Sequence, residues 1–318
     1  MARKLKGKAS AKGLKGALAR YQESEQTKAK VKRKLEHESS KGKSSKQVNR
    51  NRKLQQEHEK KFVPFLPDST LLLVGEGDFS FAKSILDCGY IKAENLIITS
   101  YDSGVKELEL KYPKSFRENY DYLVSESVRI FFNIDATKLV SSFKLSKKNP
   151  WQKVMGPEWK AKPLENVLFN FPHTGHGIKD QDRNIREHQE LLFGYFDSCK
   201  QLFKLANKKV GDDHLSGYEV GKEQSSDDMG RIILSLFAGD PYDSWQPKVL
   251  AKENGLKLER SHKFQWDTFP GYRHRRTNNE QDTTKPAAER EARIFIFEKN
   301  DGKRHNQSKR RSNDSDSE

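Results

Sequence analysis

"LLLVGEGDFSFAKSIL", residues 71–86, joins an apolar run to an amphipathic one through two glycines one residue apart. The run "TLLLVG" (70–75) does not alternate, so it reads as a strand covered on both faces. After the turn, Phe79, Ala82, Ile85 and Leu86 recur at helical spacing, and Gly89 offers a stop. A strand, a glycine turn and a helix in that order open many nucleotide-binding α/β sheets. Here the place of a third glycine, three residues after Gly77, is held by Ser80. The turn alone therefore does not choose between cofactors.

Outward from that stretch the alternation of apolar and amphipathic segments continues. "NLIITSYD" (95–102), "VRIFFNID" (128–135), "ENVLFNFP" (165–172) and "GRIILSLFAG" (230–239) read as strands. "SGVKELELKY", ended by Pro113, and residues 182–206 read as helices. Five apolar strands separated by helices imply a parallel sheet covered on both faces. After a short helix near 245–254, "SHKFQW" (261–266) and "ARIFIFEK" (292–299) have no helical pattern between them, which predicts an antiparallel addition at the sheet edge. The expected fold class is α/β: a Rossmann-like class I S-adenosylmethionine-dependent methyltransferase fold, mainly parallel with antiparallel C-terminal strands. A dinucleotide dehydrogenase fits this layout less well.

The chain has 318 residues and a formal net charge of +15, concentrated at one end. Residues 1–61 hold 20 Lys+Arg against 6 Glu, and the rest is nearly neutral. Three segments are expected: a basic tail over 1–61, a folded domain over 62–299 and a polar C-terminal tail over 300–318. The tails have too little apolar surface to offset their ordering entropy, so disorder is expected there. Such cationic density attracts polyanions through counterion release, and Lys32-Arg33-Lys34 has the form of a nuclear import signal. RNA binding, nuclear targeting or both are open for the tail. Cys88 and Cys199 fall in predicted helices and make no disulfide framework or zinc site. No stretch approaches the roughly 18 apolar residues of a membrane span. The N-terminus lacks the apolar core of a secretory signal.

Three polar insertions, 141–163, 207–228 and 271–291, interrupt the domain. The first mixes lysines with Trp151 and Trp159, and the third carries "GYRHRRT" with Arg273, Arg275 and Arg276. Both have the cation-plus-aromatic chemistry that suits single-stranded RNA. The middle one, acidic and rich in Gly and Ser, reads as a surface loop with no assigned role.

Ligands of open α/β sheets bind beyond the carboxyl ends of the strands, so the residues that follow each strand are the candidates. After the first come Gly75, Glu76, Gly77, Asp78 and Phe79. Two carboxylates in that turn would repel a pyrophosphate but suit the ammonium and sulfonium of S-adenosylmethionine. One of the two acids could instead cap the helix. Asp102, 25 residues past Gly77, has the place of a ribose-hydroxyl acceptor, with a helix N-cap as the alternative. Asp135 suits an adenine exocyclic amine, again with a cap as the alternative. Asn170-Phe171-Pro172-His173 has the shape of the Asn-Pro-Pro-aromatic motif of amino-group methyltransferases that extrude a base. A metal site built from His173, His176 and His188 is not expected, because no cysteine accompanies them.

At several separated places the chain resembles the fungal 25S (large-subunit) ribosomal RNA uridine-N3 methyltransferases. The stretches are "LLLVGEGDFSFAKSI", "NLIITSYD", "NVLFNFPHTG", "KDQDRNIREHQELL", "IILSLFAGDPYDSW" and "FPGYRHRRTNNEQDTTKPAAERE". The likeness covers about residues 62–299 and extends to "MARKLKGKASAKGLKGAL" at the start. It implies an S-adenosylmethionine-dependent enzyme acting on N3 of a uridine in large-subunit ribosomal RNA or the pre-ribosome, in the nucleus and nucleolus. Neither membrane nor metal is implied, and a monomer is the expected state. N3 carries a proton that must leave as nitrogen attacks. His173 is the expected acceptor or stacking partner, Asn170 the group positioning the uracil carbonyl edge, Asp240 a competing base and Tyr242 a competing stacker. Arg273, Arg275, Arg276 and Trp151 would hold RNA. The rival readings are a non-catalytic RNA-binding ribosome-assembly factor on the same fold and a nicotinamide oxidoreductase. The acidic turn and missing third glycine disfavour the latter.

Overall fold

The computed structural model describes residues 61–207, 229–277 and 286–300. The basic tail to residue 60, nearly all of the middle insertion, part of the third and residues 301–318 lie outside the described residues. The readings made for those segments lie outside with them.

The chain starts with strand β1 (Leu71–Val74), helix α1 (Ser80–Asp87), β2 (Leu96–Thr99), α2 (Val105–Lys111), α3 (Phe116–Ser125) and β3 (Arg129–Phe131). Next come α4 (Leu139–Ser142), α5 (Trp151–Met155), β4 (Asn166–Asn170), α6 (Gln181–Ala206) and β5 (Arg231–Phe237). Helix α7 (Pro247–Glu253) and strands β6 (Leu256–Lys263) and β7 (Ala292–Lys299) complete it. The seven strands form one sheet in the order β3-β2-β1-β4-β5-β7-β6. Strands β1 to β5 are parallel, and β7 runs antiparallel between β5 and β6. The order reverses between β1 and β4, which opens a crevice at their carboxyl ends.

Unalternating strands imply burial on both faces, and the packing follows the pleat. Leu72, Val74, Val167, Phe169, Ile232 and Leu234 face one core, shared with Leu192, Tyr195, Phe196 and Cys199 of α6. Leu71, Leu73, Leu168 and Ile233 face the other, with Phe81 and Ile85 of α1 and Phe116 and Leu123 of α3. Tyr195 puts its hydroxyl within 3.1 Å of both the Val167 and Ile233 carbonyls, fixing the 26-residue α6 to the sheet.

Three expectations are corrected. Trp151 and Trp159 do not face solvent: both are fully buried, packed edge to face at 6.2 Å, with Phe143 against Trp151 at 5.5 Å. The 141–163 insertion thus supplies core, and Trp151 has no free face for an RNA base. The penultimate strand is Leu256–Lys263, not 261–266; Phe264 and Trp266 lie beyond its end. It is an edge strand mostly exposed along its length, so it has no burial period to read, and Gly255 at φ +73° turns the chain into it. Helix α3 lies past Pro113, where no element was expected.

Candidate active site

A cavity of about 900 Å³ opens beyond the carboxyl ends of the parallel strands. Its walls include Gly75 to Asp78, Asp102, Asp135, the 169–177 segment, Tyr242, the 272–277 segment and Arg290.

The turn after β1 is shaped by neighbouring side chains as much as by any ligand. Gly75 has φ +68°, and a Cβ there would lie 2.6 Å from the Phe169 ring. A Cβ on Gly77 would meet the Tyr112 hydroxyl at 3.0 Å. Gly75 is closed to larger residues by the fold itself, and at Gly77 the Tyr112 hydroxyl would have to give way. Asp78 closes a local turn before α1: its Oδ1 accepts the Ser80 N–H at 3.0 Å, while the N-cap residue itself is Phe79. Asp78 Oδ2 accepts from Ser115 at 2.9 Å and lies 3.6 Å from Arg275 Nε. Glu76 is also buried, and burial followed by repulsion from Asp78 pushes its carboxyl up to about 8. Phe79 does not line the cavity. It is fully buried at φ +63°, packed on Phe116 at 5.2 Å and Phe132 at 6.4 Å, so its place in the motif is a core position.

Asp102 reaches the cavity already paired with Lys111, and its Oδ2 accepts from Ser100 at 3.1 Å. Asp135 caps the turn after β3: Oδ1 accepts from the Thr137 N–H at 2.8 Å and its hydroxyl at 2.7 Å. Asp135 is thus both cap and cavity wall, whereas Asp102 lines the wall without capping: the next helix has Gly104 at its N-cap and no side-chain cap bond.

Asn170 ends β4 with Oδ1 accepting from Ser235 at 2.7 Å, while its Nδ2 is buried without a hydrogen-bond partner. A buried amide left one bond short is costly unless something else completes it. Phe171 follows at φ +46° and stacks on Trp266 at 5.5 Å. His173 keeps an exposed edge, but Nδ1 accepts the Gly175 N–H at 2.9 Å, which leaves its proton on Nε2. Loss of solvent around the rest of the ring, then the neighbouring His188, push it down to about 4. It is neutral near pH 7. His188 is a buried support: Nδ1 donates to the Asn184 carbonyl at 2.8 Å, Nε2 accepts from the Thr174 N–H at 3.4 Å, and the ring stacks on Trp245 at 4.2 Å. His176 pairs with Glu187. Among the described residues no group of three or more potential metal ligands is assembled, and no helix is long and apolar enough to cross a membrane.

Asp240 is exposed and outside the cavity wall, so it is badly placed for a base. Tyr242 lies in the wall. The arginines of the third insertion divide. Arg275 turns inward to Asp78 with its side chain 12% exposed, whereas Arg273 and Arg276 are exposed. Their backbone straps the turn after β1, because the Ser80 hydroxyl bonds the Arg273 main chain and Tyr112 donates to the Arg276 carbonyl at 2.9 Å. Arg290 was not a sequence candidate. In "AAEREARIF" it looks like one charge among several before a strand.

A strand order of β3-β2-β1-β4-β5-β7-β6 and a cavity at the β1/β4 crevice define a Rossmann-like fold of the class I methyltransferase type. Residues 72–276 match the family described as "rRNA (uridine-N3-)-methyltransferase BTM5-like". The chain is 53% identical over 335 residues, covering 100% of both chains, to the 25S rRNA (uridine(2634)-N(3))-methyltransferase of Saccharomyces cerevisiae. It is 28% identical, over 65% of its own length and 32% of the relative's, to the heavy metal-associated isoprenylated plant protein 41 of Arabidopsis thaliana. Among solved structures, a putative methyltransferase from Thermoplasma acidophilum superposes with TM-score 0.34 and 13% identity, covering 75% of this chain and 71% of that one, too distant to carry an argument. The chain belongs to the rRNA (uridine-N3-)-methyltransferase BTM5-like family.

Proposed function

We propose that this chain transfers the methyl group of S-adenosylmethionine to N3 of a uridine in large-subunit ribosomal RNA. The observation that carries the reading is the 53% identity to the yeast enzyme, which extends through all of both chains. The matched region spans the elements of the cavity as well as the scaffold.

The donor set of the cavity fits a cationic nucleoside. Glu76 is neutral in the empty site at pH 7 because of its burial, and it loses its proton as a positive group arrives beside it. Asp102 would take the ribose hydroxyls, exchanging part of its contact with Lys111, and Asp135 would face the base. When bound, the sulfonium supplies an electrophilic methyl carbon. The uracil side falls to the 170–173 segment. The unpartnered Asn170 amide donates to a carbonyl of the extruded uracil, and neutral His173 offers a ring face and an Nε2–H donor rather than a proton acceptor. Arg273 and Arg276 would take phosphates. Residues 1–61 would help to hold the RNA and direct the protein to the nucleolus.

The test is a mass-resolved nucleoside analysis of a ribosomal RNA fragment incubated with the protein and isotopically labelled S-adenosylmethionine. The expected product is labelled 3-methyluridine. RNA binding without any labelled nucleoside would assign the chain instead to a non-catalytic assembly factor.

A further inference from the structure

We propose that Arg290 is the group that makes uridine N3 reactive. Its guanidinium, held on Phe237 and Tyr242, bonds a uracil carbonyl oxygen beside N3 and stabilises the negative charge which that oxygen gains when N3 loses its proton. This rests on the proposed function above.

Three observations carry the assignment. First, Arg290 is held in place. Its guanidinium carbon sits 3.6 Å from the centroid of the Phe237 ring and 5.2 Å from that of Tyr242, and Nη2 donates to the Tyr242 hydroxyl at 2.9 Å. Its own carbonyl accepts from Trp266 Nε1 at 3.4 Å. Phe237, Tyr242 and Arg290 all line the cavity. Second, its charge is uncommitted, as those of Lys111 and Arg275 in the same wall are not. Lys111 is paired with Asp102 and Glu107, and Arg275 with Asp78. Among the described residues Arg290 has no carboxylate partner, and only one of a guanidinium's five N–H donors is spent on Tyr242. Third, among the described residues this end of the cavity has no carboxylate, and its imidazoles are those of His173 and His274. His173 is held neutral with Nδ1 already accepting a bond, and Asp240 is outside the wall. The carboxylates of the wall, Glu76, Asp78, Asp102 and Asp135, belong to the ends of β1, β2 and β3. The ionisable side chains facing Phe237 beside Arg290 are Tyr242 and His274.

The chemistry matches that arrangement. N3 lies between two carbonyls, so the charge left by its proton spreads onto both oxygens. A planar array of donors preorganised against an aromatic wall stabilises such an anion better than water does. The proton leaves to water, and the N3 electron pair forms the new bond to the methyl carbon. The bond from that carbon to the donor's sulfur breaks, its pair staying on sulfur.

The experiment compares ribosomal RNA fragments carrying uridine or 5-fluorouridine at the target, where fluorine withdraws electrons and makes N3 more acidic. Arg290→Ala is expected to lower kcat/KM on uridine about 100-fold but on 5-fluorouridine less than about tenfold. Arg290→Lys, which keeps the charge and loses the planar fork, should fall between. S-adenosylmethionine affinity by calorimetry should be unchanged. Independently of turnover, the fluorine NMR shift of 5-fluorouridine RNA bound with S-adenosylhomocysteine reports N3 ionisation. Its midpoint should lie at least about one pH unit lower in the unmutated protein than in Arg290→Ala, the equivalent of a tenfold effect. Equal losses on the two bases, or coincident midpoints, would overturn the proposal. So would a fall in cofactor affinity, which would assign Arg290 to the donor's carboxylate. If the unmutated protein methylates neither RNA, the functional reading fails, and the midpoints still decide the role of Arg290.

Discussion

Beyond β1, β2 and β3 the cavity wall is acidic, and nearly every carboxylate in it already has a partner: Asp78 has Ser80, Ser115 and Arg275, Asp102 has Lys111, and Asp135 has Thr137. Beyond β4 and β5 the wall is aromatic and its polar groups are under-used, with the Asn170 amide one bond short and Arg290 without a carboxylate among the described residues. The first half is preorganised before any ligand arrives, so binding there exchanges one partner for another. The second holds groups whose desolvation is compensated only when something fills the space. Under the proposed function, that difference separates holding a cofactor from acting on a base.

The sharpest way to break this division is Asn170→Ala. It should lower kcat about 100-fold or more while S-adenosylmethionine affinity in calorimetry changes less than about threefold, since the amide serves the substrate half. A parallel loss of cofactor affinity would erase the distinction between the halves. Trp151→Ala removes a fully buried ring and should cost about 3–5 kcal/mol in denaturant unfolding. The affinity of the remaining folded protein for RNA should be unaltered, since the ring has no face in solvent. Weaker RNA binding by the folded fraction would return Trp151 to an RNA surface.

Glu76 makes the acidic half dependent on pH. Because its carboxyl is pushed up to about 8 from the ordinary value of 4.5, the folded protein binds an extra proton between those limits. Stability of the empty protein should therefore decline as pH rises from about 4.5 toward 8 and level off above. Affinity for the cationic cofactor should move the opposite way, rising with pH up to about 8 as the proton becomes easier to displace. Glu76→Gln should flatten both curves and weaken cofactor binding about tenfold at pH 8.5. A Gln variant that keeps the slope would show that another group titrates. The smallest effects are expected from His173→Phe, which keeps a ring face and should change kcat less than about fivefold, and from Asp240→Asn, less than about twofold. A large loss in either pH–rate profile would restore that residue as a proton acceptor.

The parts of the fold legible in the sequence were those with a strong burial signal. "TLLLVG" and "GRIILSLFAG" could only be strands packed on both faces, and their spacing by helices fixed the parallel order. β6 was misread by five residues at its start because an exposed edge strand pairs through its backbone and needs no side-chain period. Trp151 was misread because a tryptophan among lysines has the same composition whether it stacks on RNA or anchors a loop. Its surroundings decide, and those are Phe143 and Trp159.

The same boundary runs through the site. Local chemistry sufficed to mark the glycine turn, its two acids, Asp102, Asp135 and the Asn170–His173 segment, because each directly follows a strand and strand ends converge. Which partners each acid of the turn finds, which nitrogen of His173 carries the proton, and the meeting of Arg290 with Phe237 and Tyr242 depend on how the chain folds back on itself. Ser115 comes to Asp78 from 37 residues away and Arg290 to Tyr242 from 48. Sequence by itself determined the sheet and the chemical character of its mouth, since burial and charge are written residue by residue. Tertiary structure alone decided which of those charges are spent and which are left to act, since pairing in space has no period along the chain.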